Sequence, residues 1–314
     1  MRTLNSKIVV IGAGKVGSTT AYTLMMSRLA AEIVLIDVNK DRAEGEALDI
    51  SHGIAYLWQT VVRAGDYADC ADADIIIITA GIGRQPGQTR LDLAKTNISV
   101  VRSIIEGVMK YAADPLLLII SNPVDILTYI VQKETGLPAS RVIGSGTMLD
   151  TGRFRYLLAD HCKVDVRNVQ AFIVGEHGDS ELALWSHASL ASKPFDEYCE
   201  TCGHPCGGVN RQKMFEATRD AGIGIIQKKG ATFYGVSLAA SRIVSAVMGD
   251  ENAVLTVSSM LNGQYGLSDV ALSLPCIVNR SGIDRFLDIH ISDDEQTLLE
   301  ESAEKLKSVI KEVI

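Results

Sequence analysis

The stretch Lys7–Asp37, K-I-V-V-I-G-A-G-K-V-G-S-T-T-A-Y-T-L-M-M-S-R-L-A-A-E-I-V-L-I-D, decides the fold. It opens on a short apolar run, Lys7 to Ile11, and turns through Gly12-Ala13-Gly14-Lys15-Val16-Gly17. A helical stretch follows to about Ser27, and a second apolar run, Glu32 to Ile36, ends on Asp37. Strand, glycine turn, helix and strand in that order make one β-α-β unit. Gly12 permits the tight turn, Gly14 lets the backbone approach a pyrophosphate, and Gly17 allows close helix packing. Unpaired N–H groups at the start of the helix, from Lys15, Val16 and Gly17, favour an anion there, as does the helix dipole. Asp37, 20 residues beyond Gly17, is placed to accept ribose hydroxyls and to repel a 2′-phosphate. A dinucleotide is the expected ligand, NAD rather than NADP.

The alternation continues outward from this unit. Ile75 to Thr79 reads as a buried strand, Leu91 to Ala112 as a long helix, and Leu116 to Ile120 as another strand. Unbroken runs such as Asp74-Ile75-Ile76-Ile77-Ile78 suit a sheet covered on both faces. Repeated units of this kind imply α/β architecture with a doubly wound parallel sheet, and ligands at the carboxyl ends of its strands. Thr79-Ala80-Gly81 and Ser121-Asn122-Pro123-Val124-Asp125 stand at such ends.

After about residue 146 the pattern changes, which suggests two domains, 1–146 for the dinucleotide and 147–314, of α+β type, for the substrate. Leu149 to Cys162 reads as a helix, and Val169 to Gly175 as a strand ending in Gly175-Glu176-His177-Gly178-Asp179. A helical region from about Gly208 to Met248 is interrupted near Gly230, and strands follow around Ala253 to Met260 and Val270 to Val278. The last helix begins with a capping box, Ser292-x-x-Glu295, and carries an apolar stripe of Leu299, Leu306, Ile310 and Val313.

Composition fits a soluble globular enzyme, 47% apolar and 22% charged over 314 residues. A net charge of −8 argues against nucleic acid or an anionic membrane as the partner. No run approaches a membrane span and the start lacks signal-peptide anatomy, so the expected location is cytoplasmic. Four soft ligands, Cys199, Cys202, His204 and Cys206, crowd into eight residues. They are too close to wrap one ion easily, and no second pair lies at the usual spacing, so no metal is expected.

Ala80 to Arg90, A-G-I-G-R-Q-P-G-Q-T-R, puts Arg84 and Arg90 six apart on a glycine-punctuated loop. Two guanidiniums on one segment suit a substrate with two anionic or polar ends. His177 stands between Gly178 and Glu176 at a strand end, where core packing does not explain it. Asp150, near the start of the preceding helix, is a plausible partner, and Arg153 lies one turn on, on the same face. Pairing with a carboxylate raises an imidazole's basicity, as a general acid near neutral pH requires. With an NAD fold, these groups point to hydride transfer at a carbon bearing oxygen beside a carboxylate.

These segments carry a resemblance. G-A-G-K-V-G, T-A-G-I-G-R-Q-P-G-Q-T-R-L-D-L, S-N-P-V-D-I-L-T-Y, V-I-G-S-G-T-M-L-D-T-G-R-F-R-Y and G-E-H-G-D-S together resemble the lactate/malate dehydrogenase family along essentially the whole chain. The resemblance implies a Rossmann N-terminal domain and a small-molecule 2-oxo or 2-hydroxy acid as substrate. It implies that His177 protonates the substrate carbonyl, Asp150 orients the imidazolium, Arg153 holds the substrate carboxylate and Arg90 polarises the carbonyl. Asn122 would contact the nicotinamide ribose and substrate, and Thr232 would line the pocket. The cofactor set is Gly12, Gly14, Lys15, Val16, Gly17, Asp37, Thr79, Ala80, Gly81, Asn97, Ser121 and Asn122. The family also implies a homodimer or homotetramer, for which Ala43 to Ile54 offers an apolar helix. At the loop position that reads the substrate side chain, lactate enzymes typically carry glutamine and malate enzymes arginine; here it is Arg84. Malate dehydrogenase on a lactate-dehydrogenase-like frame is therefore the expectation, with lactate dehydrogenase as the alternative and a non-catalytic NAD-binding protein as the remote one.

Overall fold

The computed structural model describes residues 6–83, 89–202 and 210–314, with Arg90 by its backbone only. β1 (Lys7–Ile11), α1 (Lys15–Met26) and β2 (Glu32–Ile36) follow the sequence reading almost to the residue. α2 (Lys40–His52) and β3 (Val61–Ala64) complete the first half of the sheet. β4 (Ile75–Ile78), α3 (Arg90–Met109), β5 (Leu117–Ile119), α4 (Val124–Thr135) and β6 (Val142–Gly144) supply the second. Six strands run parallel in the order β6-β5-β4-β1-β2-β3.

Successive residues of a strand face opposite sides, so a strand between two helical layers must be apolar throughout. β1 shows this directly. Val9 and Ile11 enter one core with Ile76, Leu117 and Val101, whereas Ile8 and Val10 enter another with Ile75, Leu118 and Leu24.

The remaining elements are α5 (Met148–Cys162), β7 (Val169–Gln170), β8 (Ile173–Val174), β9 (Leu182–Ala183), β10 (Ser189–Leu190), β11 (Lys193–Pro194) and α6 (Phe195–Thr201). After them come α7 (Arg211–Lys229), α8 (Tyr234–Gly249), β12 (Ala253–Asn262), β13 (Ser268–Asn279), β14 (Gly282–Phe286) and α9 (Asp293–Val313). The capping boxes of α3 (Thr89 with Asp92) and α9 (Ser292 with Glu295) both close.

One sequence expectation needs correction. The strand read over Val169 to Gly175 is two short strands in different sheets, β7 pairing β10 and β8 pairing β9. Its backbone is diverted by threonines of the neighbouring helix. Thr151 Oγ1 accepts the Ile173 N–H at 2.9 Å and Thr147 Oγ1 donates to the Ile173 carbonyl at 2.6 Å. The late strands, placed by the sequence without a sheet, extend the parallel one. β12, β13 and the unforeseen β14 join antiparallel to β6, giving nine strands in the order β14-β13-β12-β6-β5-β4-β1-β2-β3 among the described residues. Both large cores therefore draw on both ends of the chain. Leu272, Leu299 and Leu306 pack with Val9 and Ile76, and Ile243, Val247 and Val257 pack with Ile8 and Ile75. A third core, around Phe154, Leu158, Ile173 and Phe195, belongs to the second half alone.

Candidate active site

At the carboxyl edge of the parallel strands the glycine turn forms a cradle. Gly12 has φ +106°, and a Cβ there would sit 2.6 Å from the Ala80 nitrogen. A Cβ on Gly17 would lie 1.7 Å from the Gly12 carbonyl oxygen, so only glycine lets α1 come this close to β1. Gly14 caps α1 with no side-chain hydrogen bond and no acid in the first turn, and a Cβ on it would touch nothing within 4 Å. The first-turn N–H groups of Lys15, Val16 and Gly17 are thus left for an anion. Asp37 closes the end of β2, with Oδ2 accepting the Ala13 N–H at 2.7 Å and Oδ1 the Asn39 N–H at 2.9 Å. A carboxylate oxygen has further lone pairs, so these bonds orient Asp37 and leave it free to accept from a diol.

The next two strand ends are tied to this cradle. Thr79 Oγ1 donates to the Gly12 carbonyl at 2.9 Å, and Ser121 Oγ donates to the Ala80 carbonyl at 2.5 Å. Asn97, buried on α3, is a brace. Its Oδ1 accepts the Ile82 N–H at 2.8 Å, and its Nδ2 donates to the carbonyls of Ile82 and Asn122. With both amide protons used, Asn97 ties the Ile82 segment after β4 to the Asn122 carbonyl after β5.

A second polar group is built from α5 and the turn that follows β8. Asp150 and Arg153 share one face of α5, and Arg153 Nη1 donates to Asp150 Oδ1 at 2.8 Å. Asp150 Oδ2 lies 2.6 Å from His177 Nδ1. The carboxylate, almost wholly buried, is thus clamped between two cations and held below the usual carboxylate range; burial opposes this, and His177 and Arg153 outweigh it. Burial alone would lower the His177 imidazole, but the charge of Asp150 and the hydrogen bond to it raise the imidazole to about 9. With Nδ1 engaged, proton chemistry falls to Nε2, on a side chain still 26% exposed.

A proton donor with this pKa dictates a pH profile. A reaction that needs protonated His177 should hold its rate below about 9 and lose it as pH rises through that value, and the reverse reaction should gain. Initial rates measured against pH in both directions check this. An inflection near the ordinary imidazole value of about 6.5 would show that Asp150 does not control the ring.

Arg84, His204 and Cys206 lie outside the described residues, as does the side chain of Arg90. Cys199 and Cys202 are half-buried at the end of α6. Thr232 lies between α7 and α8, with no hydrogen bond to the histidine group. Two residues without an assigned role belong to the site. Asp125, on the first turn of α4, accepts the His177 backbone N–H at 2.7 Å. It is buried, and desolvation pushes its carboxyl up to about 6 against the pull of Ser258 and that N–H. Its Oδ1 faces Ser258 without a well-aligned hydrogen bond. Glu181, four residues after His177, presents a carboxylate oxygen within 4.8 Å of the ligand atoms of Asp150 and His177.

Two family models account for the chain. The NAD-binding domain of lactate/malate dehydrogenases matches residues 6–144, and their α/β C-terminal domain matches residues 147–314. The chain belongs to the lactate/malate dehydrogenase family. An L-lactate dehydrogenase of Acetivibrio thermocellus is 53% identical over 306 residues, 97% of this chain and 96% of its own. L-lactate dehydrogenase 1 of Clostridium acetobutylicum is 50% identical over 98% of this chain and 99% of its own. The crystal structure of a minor L-lactate dehydrogenase from Enterococcus mundtii superposes with a TM-score of 0.95 at 43% identity, covering 99% of each chain. As a lactate/malate dehydrogenase the protein is an NAD-dependent oxidoreductase of 2-hydroxy and 2-oxo acids. The uncapped first turn of α1, the open side of Gly14 and the tethered Asp37 fit that cofactor. No helix among the described residues is long and apolar enough to cross a membrane.

Proposed function

We propose that this dehydrogenase interconverts pyruvate and L-lactate. The observation that carries the chemistry is Asp150, clamped between His177 and Arg153. Arg153 pairs with the substrate carboxylate, and its bond to Asp150 fixes the direction from which it does so. His177 delivers its Nε2 proton to the carbonyl oxygen, and Asp150 stabilises the imidazolium before transfer. When bound, NADH supplies the hydride for the carbonyl carbon. Asn122, braced by Asn97, faces the same strand end, and Arg90 is the second guanidinium for the developing oxygen charge. The choice of pyruvate is supported by relatives that are half identical along their whole length and carry the name L-lactate dehydrogenase.

One residue favours a second reading. Arg84, at the position that reads the substrate side chain, suits the extra carboxylate of oxaloacetate, which would make malate the product. With pyruvate, that guanidinium must stay hydrated outside the reaction volume, because an unpaired charge shut in with a methyl group costs several kcal/mol. Initial rates of NADH oxidation with the two acids decide the matter. Pyruvate is expected to give the larger kcat/KM. A preference for oxaloacetate of about 10²–10⁴ would install malate instead. Arg84→Gln should lower the use of oxaloacetate in either case. A location in the cytoplasm and assembly as a homodimer or homotetramer belong to the same proposal. Exposed Tyr22, Met26, Leu48, Tyr234 and Leu238 on α1, α2 and α8 support the assembly.

A further inference from the structure

The turn that carries His177 is pinned residue by residue. The Gly175 N–H donates to the Ser273 carbonyl on β13 at 2.9 Å, and the Glu176 N–H donates to Ser302 Oγ on α9 at 2.9 Å. The His177 N–H, third in the row, donates to Asp125 Oδ2 on α4 at 2.7 Å. Three consecutive amides thus go to three different elements. Only the third goes to a carboxylate, and only the third crosses from the C-terminal domain into the NAD-binding domain. α4 begins two residues after Asn122, whose carbonyl accepts from Asn97 Nδ2 at 2.7 Å. Asp125 therefore ties the histidine to the segment that bears Asn122.

A charge is more than this tie needs. A neutral oxygen satisfies a backbone N–H, as Ser302 does for Glu176, and a buried charge costs stability. Yet Asp125 is 2% exposed, and its Oδ1 faces Ser258 on β12 without a well-aligned hydrogen bond. An asparagine could hold the His177 N–H with its oxygen and donate to Ser258 with its nitrogen. Packing alone does not explain the carboxylate.

We infer that Asp125 is a positioning residue for the proton step, holding the His177 backbone against α4 and setting a negative charge near the imidazole. The imidazolium that this charge favours is the form that gives up the proton. The electrostatics agree. Burial works against the charged ring, and Asp150, then Asp125, then Glu181 work for it, which leaves the imidazole at about 9. Desolvation raises the Asp125 carboxyl to about 6, opposed by Ser258, the His177 N–H and the His177 ring, with Glu176 adding to the rise. It is therefore ionised at neutral pH and above, where His177 titrates.

The inference rests on the acid–base reading of His177, and its test tells the two apart. Asp125→Asn removes the charge and keeps the acceptor. Loss of a nearby negative charge disfavours the imidazolium, so the alkaline limb of 2-oxo acid reduction should move from about 9 to about 8. NMR titration of the His177 ring should show the same displacement without turnover. Asp125→Ala loses the acceptor as well, and its kcat at neutral pH should fall by about 10- to 100-fold with NADH affinity kept. Asp125→Asn should restore most of that loss. A residue that merely stabilised α4 would lower Tm in both variants and leave the His177 titration where it was. A ring that titrates alike in the wild type and in Asp125→Asn overturns the inference, as does an alanine variant with wild-type kcat. A wild-type protein that reduces no 2-oxo acid at any pH overturns the acid–base reading, and the inference with it.

Discussion

Exchange of His177 for alanine is expected to lower kcat by about 10²–10⁴-fold, the usual contribution of a positioned acid–base group. NADH binding should survive, because the cradle at Gly12, Gly14 and Asp37 shares no side-chain contact with His177. The site should also stay folded. Arg153 remains on Asp150 at 2.8 Å, so removal of the imidazole leaves the buried carboxylate paired with one cation. The loss should thus fall on turnover, with NADH fluorescence titration unchanged. A variant within tenfold of the wild-type kcat would remove His177 from the proton step.

Gly17→Ala should be the most damaging single methyl group in the dinucleotide half. The added Cβ meets the Gly12 carbonyl oxygen at 1.7 Å and Thr79 Oγ1 at 2.7 Å. One of these is backbone and cannot rotate away, so α1 must lift from β1. Severe overpacking of this kind costs about 3–5 kcal/mol, enough to lower Tm by about 5–10 °C. NADH affinity should fall with it, since the same shift withdraws the first-turn N–H groups. Gly14→Ala is the matched control. With open space around its Cβ, it should leave Tm nearly unchanged and show its effect in NADH affinity alone. Equal Tm values for the two variants would contradict the packing argument.

The β-α-β unit was legible to the residue because its constraints are local. Strands buried on both faces read as unbroken apolar runs, and the spacing of Gly12, Gly14 and Gly17 follows from packing and ligand approach. Asp150 and Arg153 were legible for a similar reason, since positions three apart share a helix face. Asp125 and Glu181 were not. A carboxylate bears no mark of burial in the sequence, and both meet the histidine group only in the folded chain. The break within Val169–Val174 was equally hidden, because Thr147, the N-cap of α5, and Thr151 within it supply the partners that take the strand out of a ladder. β14 escaped notice because only Gly282 and Ile283 of its five residues are buried.

The two large cores, each assembled from both ends of the chain, bear on how such a protein can change over generations. Val9 and Ile76 share one core with Leu272 and Leu299, and Ile8 shares the other with Ile243 and Val257. A recombinant that took one half from a distant relative would inherit mismatched surfaces on both sides of its central sheet. Modular exchange of a cofactor half for another is therefore a poor route to novelty here. Innovation is channelled into short segments that lie outside both cores, where one altered codon redirects the chemistry while the inherited architecture stays intact.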